Sequence, residues 1–229
     1  MYLMTSTRCG ISAKQIEREL GVTYKTAWRI FTLIRNELMA GDGQPLSGTV
    51  EMDEMYHGGR PHAAARAQWD TLPHTSQRKQ AARKWSDEHK TPVFGMVERG
   101  GRVSAHVVPK PASEAIHGHI SATVEPGSVL HTDEGAYYRR LVNDGWQHRT
   151  VNHRERVYVS GDVHTNTIEG FWMLVKTGLA GSHHYASAKW LQGYLNEYVW
   201  RYNNREHRDG VAGPAQFLLL LLRAATVVR

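Results

Sequence analysis

Cysteine is all but missing: Cys9 is the single one among 229 residues. That excludes a disulfide framework or a cysteine-based zinc cluster within the chain, and a reducing compartment is the expected setting. Long apolar runs are missing too. The longest, 217–222, stops at Arg223, well short of the roughly 20 residues that span a bilayer. No signal peptide opens the sequence, so a cytoplasmic protein with no membrane partner is expected. A helical His-Glu-x-x-His pattern is also absent. His131, His164 and the adjacent pair His183 and His184 lack the i, i+4 spacing that lets two histidines share one ion; a loop or DNA-phosphate role is expected for them instead.

What the chain does have is positive charge. Its 28 Lys and Arg against 22 Asp and Glu leave a formal net charge of +6, with 14 histidines besides, and a pI near 9.5. Such a balance favours a polyanionic partner, because each cation near a phosphate releases condensed counterions. The length suits one sizeable core plus a small satellite domain.

Residues 1–40 read as that satellite. Ser12 is a plausible N-cap with Gln15 three residues on, Ile16 and Leu20 are apolar at i, i+4, and Gly21 ends the first helix. A second helix is expected from Thr23, burying Ala27, Ile30, Phe31 and Ile34. Two short helices hinged at a glycine fit a helix-turn-helix, with Tyr24, Lys25, Thr26 and Arg29 toward double-stranded DNA. They equally fit an αα-hairpin used only for packing. The basic companions Arg8, Lys14, Arg18, Lys25 and Arg29 favour DNA.

After a turn-rich linker at 41–48 the pattern changes to short strands, and 49–229 reads as an α/β domain. Strands are expected over 49–56, 92–98, 102–108 and 128–132, with a weaker one at 149–151. Helices are expected over 113–124, 136–143, 166–177, 187–203 and 214–226, where Pro214 suits a first helical position. Early antiparallel strands, then a crossover strand, then helices fit an RNase H-like mixed sheet with flanking helices. A basic insertion at 58–90 interrupts this order. Its first half is expected to be solvated and partly disordered. For 77–85 a short basic helix touching DNA backbone is a competing reading, through Lys79, Arg83 and Lys84.

Three carboxylates could converge on hard divalent cations, which take oxygen ligands. Asp53 lies inside an otherwise apolar strand, where an unpaired charge is costly. Asp133 follows another strand directly, and Glu169 opens a helix. Each also has a bland reading: Asp53 as a strand end, Asp133 as the start of an Asx-turn before Gly135, and Glu169 as half of a capping box with Asn166. Lys176, seven residues past Glu169, shares its helix face. Trp172 is expected in the core, and Trp190, Tyr194, Tyr198 and Tyr202 recur at i+4 as core spacing. Asn203, Asn204 and Arg205 end that helix; the asparagines suit a cap and Arg205 suits DNA.

Taken together these segments resemble a family. Gly-Val-Thr-Tyr-Lys-Thr-Ala-Trp-Arg, the Asp53-Glu-Met-Tyr-His-Gly-Gly stretch, His131-Thr-Asp133-Glu-Gly, Asn166-Thr-Ile-Glu169-Gly-Phe-Trp-Met-Leu-Val-Lys176 and Tyr198-Val-Trp-Arg-Tyr-Asn-Asn-Arg205 are similar to bacterial insertion-sequence DDE transposases, in the group related to the Merlin elements. The resemblance implies an RNase H-like catalytic domain, two Mg2+ ions with Mn2+ as a substitute, and strand cleavage and transfer at terminal inverted repeats. It also implies a homo-oligomer on DNA and a nucleoid-associated location. By matching motifs, Asp53, Asp133 and Glu169 take the catalytic and metal-binding positions and Lys176 the following cation. Some relatives carry asparagine as the third residue, which makes Asn166 the alternative to Glu169. The zinc ribbon usual before the helix pair is not expected in this chain, which carries a single cysteine. That departure admits a rival: a truncated or domesticated transposase that binds DNA without cutting it.

Overall fold

Apolar and polar residues alternate from Thr49 to Asp53, and this pattern opens the central strand, β1 (Thr49–His57). The computed structural model describes residues 1–7, 10–41, 43–59, 61–109, 113–151, 163–183, 186–205 and 216–227. On one side β1 pairs antiparallel with β2 (Thr91–Glu98), and β2 with β3 (Val103–Val107). On the other, β1 pairs parallel with β4 (Val129–Thr132), and β4 with β5 (Gln147–Thr150). The order β3-β2-β1-β4-β5 is the mixed RNase H-like sheet expected from the sequence. Parallel neighbours need a crossover, and α6 (Ser113–Thr123) lies within the one between β3 and β4. β5 spans Gln147–Thr150 rather than the expected 149–151, because its register follows β4 from Val129↔Gln147 onward.

The sheet has two covered faces. Val50, Met52, Phe94, Met96 and Leu130 form one core with Ile116 and Ile120 of α6 and with Tyr138 and Leu141 beyond β4. Met55, Val93, Val97, Val103 and Ala105 pack instead with α7 (Asn166–Gly178) and α8 (Ala188–Asn203). Strand alternation therefore puts Glu51 and Asp53 on the α7 side and Glu54 on the other.

The N-terminal helices are α1 (Tyr2–Thr5), α2 (Ala13–Leu20) and α3 (Tyr24–Leu33), which runs on as a π-helical turn, Ile34–Leu38. Ser12 Oγ accepts from the Gln15 N–H at 3.1 Å, Gly21 ends α2 with a left-handed φ of 63°, and Thr23 caps α3. Ala13, Ile16, Ala27, Phe31 and Ile34 are buried in the same core as α7 and α8. Leu20 departs from expectation: it is 54% exposed, since it closes a short helix whose core face is already supplied by Ala13 and Ile16. A buried charge cluster ties this layer to α8. Arg35 donates from Nε to Glu197 Oε2 at 2.7 Å, its guanidinium lies over Phe31 and Tyr194, and Arg201 Nε donates to the other Glu197 oxygen at 3.0 Å. Removing one partner from such a cluster costs roughly 3–5 kcal/mol.

The insertion is not the disordered segment expected of its first half. It forms α4 (Ala63–Asp70) and α5 (Thr75–His89), joined by Arg78 bonds to the Leu72 and Asp70 carbonyls and an edge contact between Trp69 and Trp85. Among their described side chains none is buried. Helix-favouring Ala and Arg residues and this local contact order it without a share in the main core. The last helix, α9 (Gln216–Val227), is tied back by Arg223, which donates to the Leu38 and Ala40 carbonyls at 2.9 Å. Pro214 lies outside the described residues. Among those described, no helix is long and apolar enough to cross a membrane.

Candidate active site

Asp53 stands on β1 opposite Gly95 of β2. A side chain at Gly95 would strike the Trp172 ring, its Cβ falling 2.4 Å from Cζ2. The glycine therefore leaves room for the Trp172 ring of α7 against the sheet beside Asp53. The indole is buried, as expected of a core residue. Burial, opposed by a backbone N–H from Glu54 and reinforced by the charges of Asp133 and Glu169, pushes the Asp53 carboxyl up to about 6. The Trp172 N–H works weakly the other way, although it forms no hydrogen bond of ordinary geometry. Asp53 thus feels both other carboxylates, each from a different element.

Asp133 follows β4, and its Oδ1 accepts from the Gly135 N–H at 2.8 Å. The Asx-turn is formed, and it holds the carboxylate toward Asp53. Glu169 sits in the first turn of α7, where Thr165 Oγ1, at the N-cap, donates to Glu169 Oε1 at 3.2 Å. The contact is between the two side chains alone, since the Thr165 hydroxyl makes no capping bond to the helix backbone. Among the described residues no three His, Cys, Asp or Glu side chains stand close enough together to hold a metal ion.

Two further carboxylates on β1 escaped the sequence reading. Glu51 is fully buried. Its Oε2 accepts from the backbone N–H groups of Thr167 (2.8 Å) and Ile168 (3.2 Å), and its Oε1 from Thr167 Oγ1 (2.9 Å) and Arg99 Nε (2.7 Å). Glu54, on the opposite face, accepts from Tyr137 Oη at 2.7 Å and from Tyr138 Oη. Burial pushes Glu54 up to about 7 against those two hydrogen bonds, with Asp53 and Asp133 adding to the rise. Neither glutamate shows a local sequence signal, because its partners lie 48 to 117 residues away.

The expected cations scatter over the surface. Lys176 is exposed in the last turn of α7, about 10 Å along the axis from Glu169 at 1.5 Å per residue. Asn166 is exposed at the start of that helix. Tyr24, Lys25, Thr26 and Arg29 are exposed along α3, and Lys79, Arg83 and Lys84 along α5. Arg205 is turned inward: it lies over Tyr202 and donates to the Gly101 carbonyl at 3.2 Å. The histidines are internal as well. His131 meets Arg99 at 3.1 Å, His164 Nδ1 lies 3.2 Å from Glu51 Oε1, and His183 meets Arg35 at 3.2 Å; His184 is outside the described residues.

Residues 45–203 match the ISXO2-like transposase domain. The chain is 32% identical over 206 residues, 88% of its length and 67% of the relative's, to an uncharacterized protein in the transposable element ISH50 of Halobacterium salinarum. Among solved structures it is similar to the HTLV-2 integrase catalytic core domain in complex with magnesium, at 15% identity and a TM-score of 0.40 over 77% of this chain and 98% of that one. It is likewise similar to a simian T-cell lymphotropic virus intasome in complex with PP2A regulatory subunit B56 gamma, at 13% identity and a TM-score of 0.39 over 91% of this chain and 74% of that one.

Proposed function

From the premise that this chain belongs to the ISXO2-like transposase family, we propose that it cuts and joins DNA strands at the ends of an insertion sequence, with Asp53, Asp133 and Glu169 as the metal-holding carboxylates. The observation that carries this reading is the match of residues 45–203 to that family, supported by the placement of the three carboxylates on β1, directly after β4 and in the first turn of α7.

The donor set is all oxygen, which suits Mg2+ or Mn2+. Bound ions would draw the three carboxylates together, polarise the scissile phosphate and favour ionisation of the attacking hydroxyl. The chain itself supplies position and exclusion. Trp172 and Gly95 set the height of α7 over the sheet, the Gly135 N–H fixes the Asp133 carboxylate, and Thr165 restrains Glu169. Lys176 offers a cation to a phosphate lying along α7. The two-helix unit of α2 and α3 acts as a helix-turn-helix, presenting Tyr24, Lys25, Thr26 and Arg29 to the duplex, while Lys79, Arg83 and Lys84 of α5 meet backbone phosphates. Arg205, half-buried and bonded to the Gly101 carbonyl, would meet phosphate from the end of α8. Assembly as a homo-oligomer on the element ends belongs to the same reading.

The test is cleavage of a duplex carrying the sequence that flanks the reading frame, with Mg2+, Mn2+ or chelator. Metal-dependent nicking by the wild type, lost in Asp53→Asn and Asp133→Asn while duplex binding persists, is expected. Duplex binding with no cleavage under any metal would leave a DNA-binding protein without transposase chemistry.

A further inference from the structure

Each active-site carboxylate has, a few residues before it, a member of one buried network. Glu51 precedes Asp53 by two residues on β1, His131 precedes Asp133 by two at β4, and His164 and Thr167 flank the start of the helix that carries Glu169. Arg99, just beyond β2, joins all three elements through one guanidinium: Nε donates to Glu51 Oε1 at 2.7 Å, and Nη2 donates to His131 Nδ1 at 3.1 Å and to the His164 carbonyl at 3.0 Å. Glu51 completes the link by receiving the first N–H groups of α7 at Thr167 and Ile168, together with Thr167 Oγ1.

We propose that Glu51 and Arg99 are positioning residues that fix the relative placement of Asp53, Asp133 and Glu169, and so set how tightly the site holds a divalent cation. The inference rests on the assignment of those three carboxylates made above. A buried carboxylate at the N-terminus of α7 is a directional anchor, since the orphan amides there point along the helix axis toward it. Because Glu51 is fully buried and fully bonded, α7 can neither slide nor rotate about its start without breaking charge-assisted hydrogen bonds. Arg99 adds what Glu51 cannot reach, namely β4. A planar fork with fixed donor directions can serve three acceptors at once, whereas a lysine ammonium on its flexible stem cannot hold the same three in register.

The test uses the full chain and Mn2+ as the probe, with free ion followed by electron paramagnetic resonance and folding checked by circular dichroism. Arg99→Lys keeps the charge beside Glu51 and loses the fork. It is expected to remain folded, to bind duplex DNA as the wild type does, and to bind Mn2+ about 10- to 100-fold more weakly, the range typical for partners that orient metal ligands. Thr167→Val, which removes only one donor to Glu51 from a half-buried position, is expected to shift Mn2+ affinity in the same direction by a few fold, and decides the matter if Arg99→Lys does not fold. A purely structural role would lower melting temperatures and leave Mn2+ affinity of the folded protein unchanged. That result overturns the inference. If both variants bind Mn2+ normally while Asp53→Asn does not, the network claim falls and the carboxylate assignment stands. If Asp53→Asn itself binds Mn2+ normally, the assignment falls, and this inference with it.

Discussion

Replacing Gly95 by alanine tests how closely the height of α7 over the sheet governs the site. The new methyl would lie 2.4 Å and 2.5 Å from Cζ2 and Cη2 of Trp172 and 3.2 Å from Ile168 Cδ1. The first of these is about 1 Å closer than carbon atoms normally approach. Trp172 cannot swing aside easily, because it is only 3% exposed and packs on Phe171 at 5.2 Å between ring centres. The displacement must pass to α7. Overpacking of this kind costs roughly 1–3 kcal/mol, and a shift near 1 Å between Glu169 and Asp53 is expected to slow cleavage by about 100-fold. Urea unfolding reads the first quantity, and Mn2+-dependent cleavage of an element-end duplex reads the second. Gly170→Ala is the contrast. It lies on α7 with nothing within 4 Å of a built Cβ, so it should stabilise by about 0.5–1 kcal/mol through lower backbone entropy in the unfolded chain. A Gly95→Ala protein as stable and as active as the wild type would refute the claim that Trp172 sets the position of α7.

Other outcomes are expected of single changes. Asp53 is pushed up to about 6 and Glu54 to about 7; a carboxyl raised on folding holds its proton more tightly in the folded state, so their contribution to stability is full below pH 4 and is lost as pH rises through 6 to 7. Thermal melts of metal-free protein should show that loss between pH 4 and 8, smaller in Asp53→Asn, and a profile identical in the two proteins would count against the assignment. Glu169→Gln should cost far more activity than Asn166→Ala, since an ionised carboxylate binds Mg2+ where an amide offers only a neutral oxygen; equal or reversed losses would move the role to Asn166. Lys25→Ala and Arg29→Ala should each weaken duplex binding and lower its salt dependence by about one unit of slope, and an unchanged slope would make α2 and α3 a packing hairpin.

The sheet was legible in the sequence because its strands are short, largely apolar runs bounded by turn residues. The boundaries of β1, β2, β3 and β4 fall within about two residues of expectation, the uncertainty ordinary for strand ends. The charge inside β1 pointed to Asp53 for a reason that holds in three dimensions: an ionisable group on a buried strand needs a partner. The same logic applied to Glu51, two residues earlier, yet its partners are Arg99 and the start of α7, which no periodicity connects to it. Glu54 was hidden likewise, its tyrosines lying in a turn whose placement depends on β4. The insertion was misjudged in the other direction. A charge-rich stretch with no buried face resembles a disordered one in composition, and only the Trp69–Trp85 contact and the alanines of α4 and α5 distinguish it. At the start of α7 it is the Thr165 hydroxyl that reaches the Glu169 carboxylate, one residue before the Asn166 that a capping-box spacing offers as its partner.

The most direct test of the central claim is an anomalous difference map from crystals of the wild-type protein soaked in Mn2+. Manganese density lying between the Asp53 and Asp133 carboxylates, with Glu169 drawn in to share it, is the result expected. Manganese bound elsewhere, or at Asp53 with Asp133 and Glu169 both turned away, would contradict a common metal site for the three carboxylates.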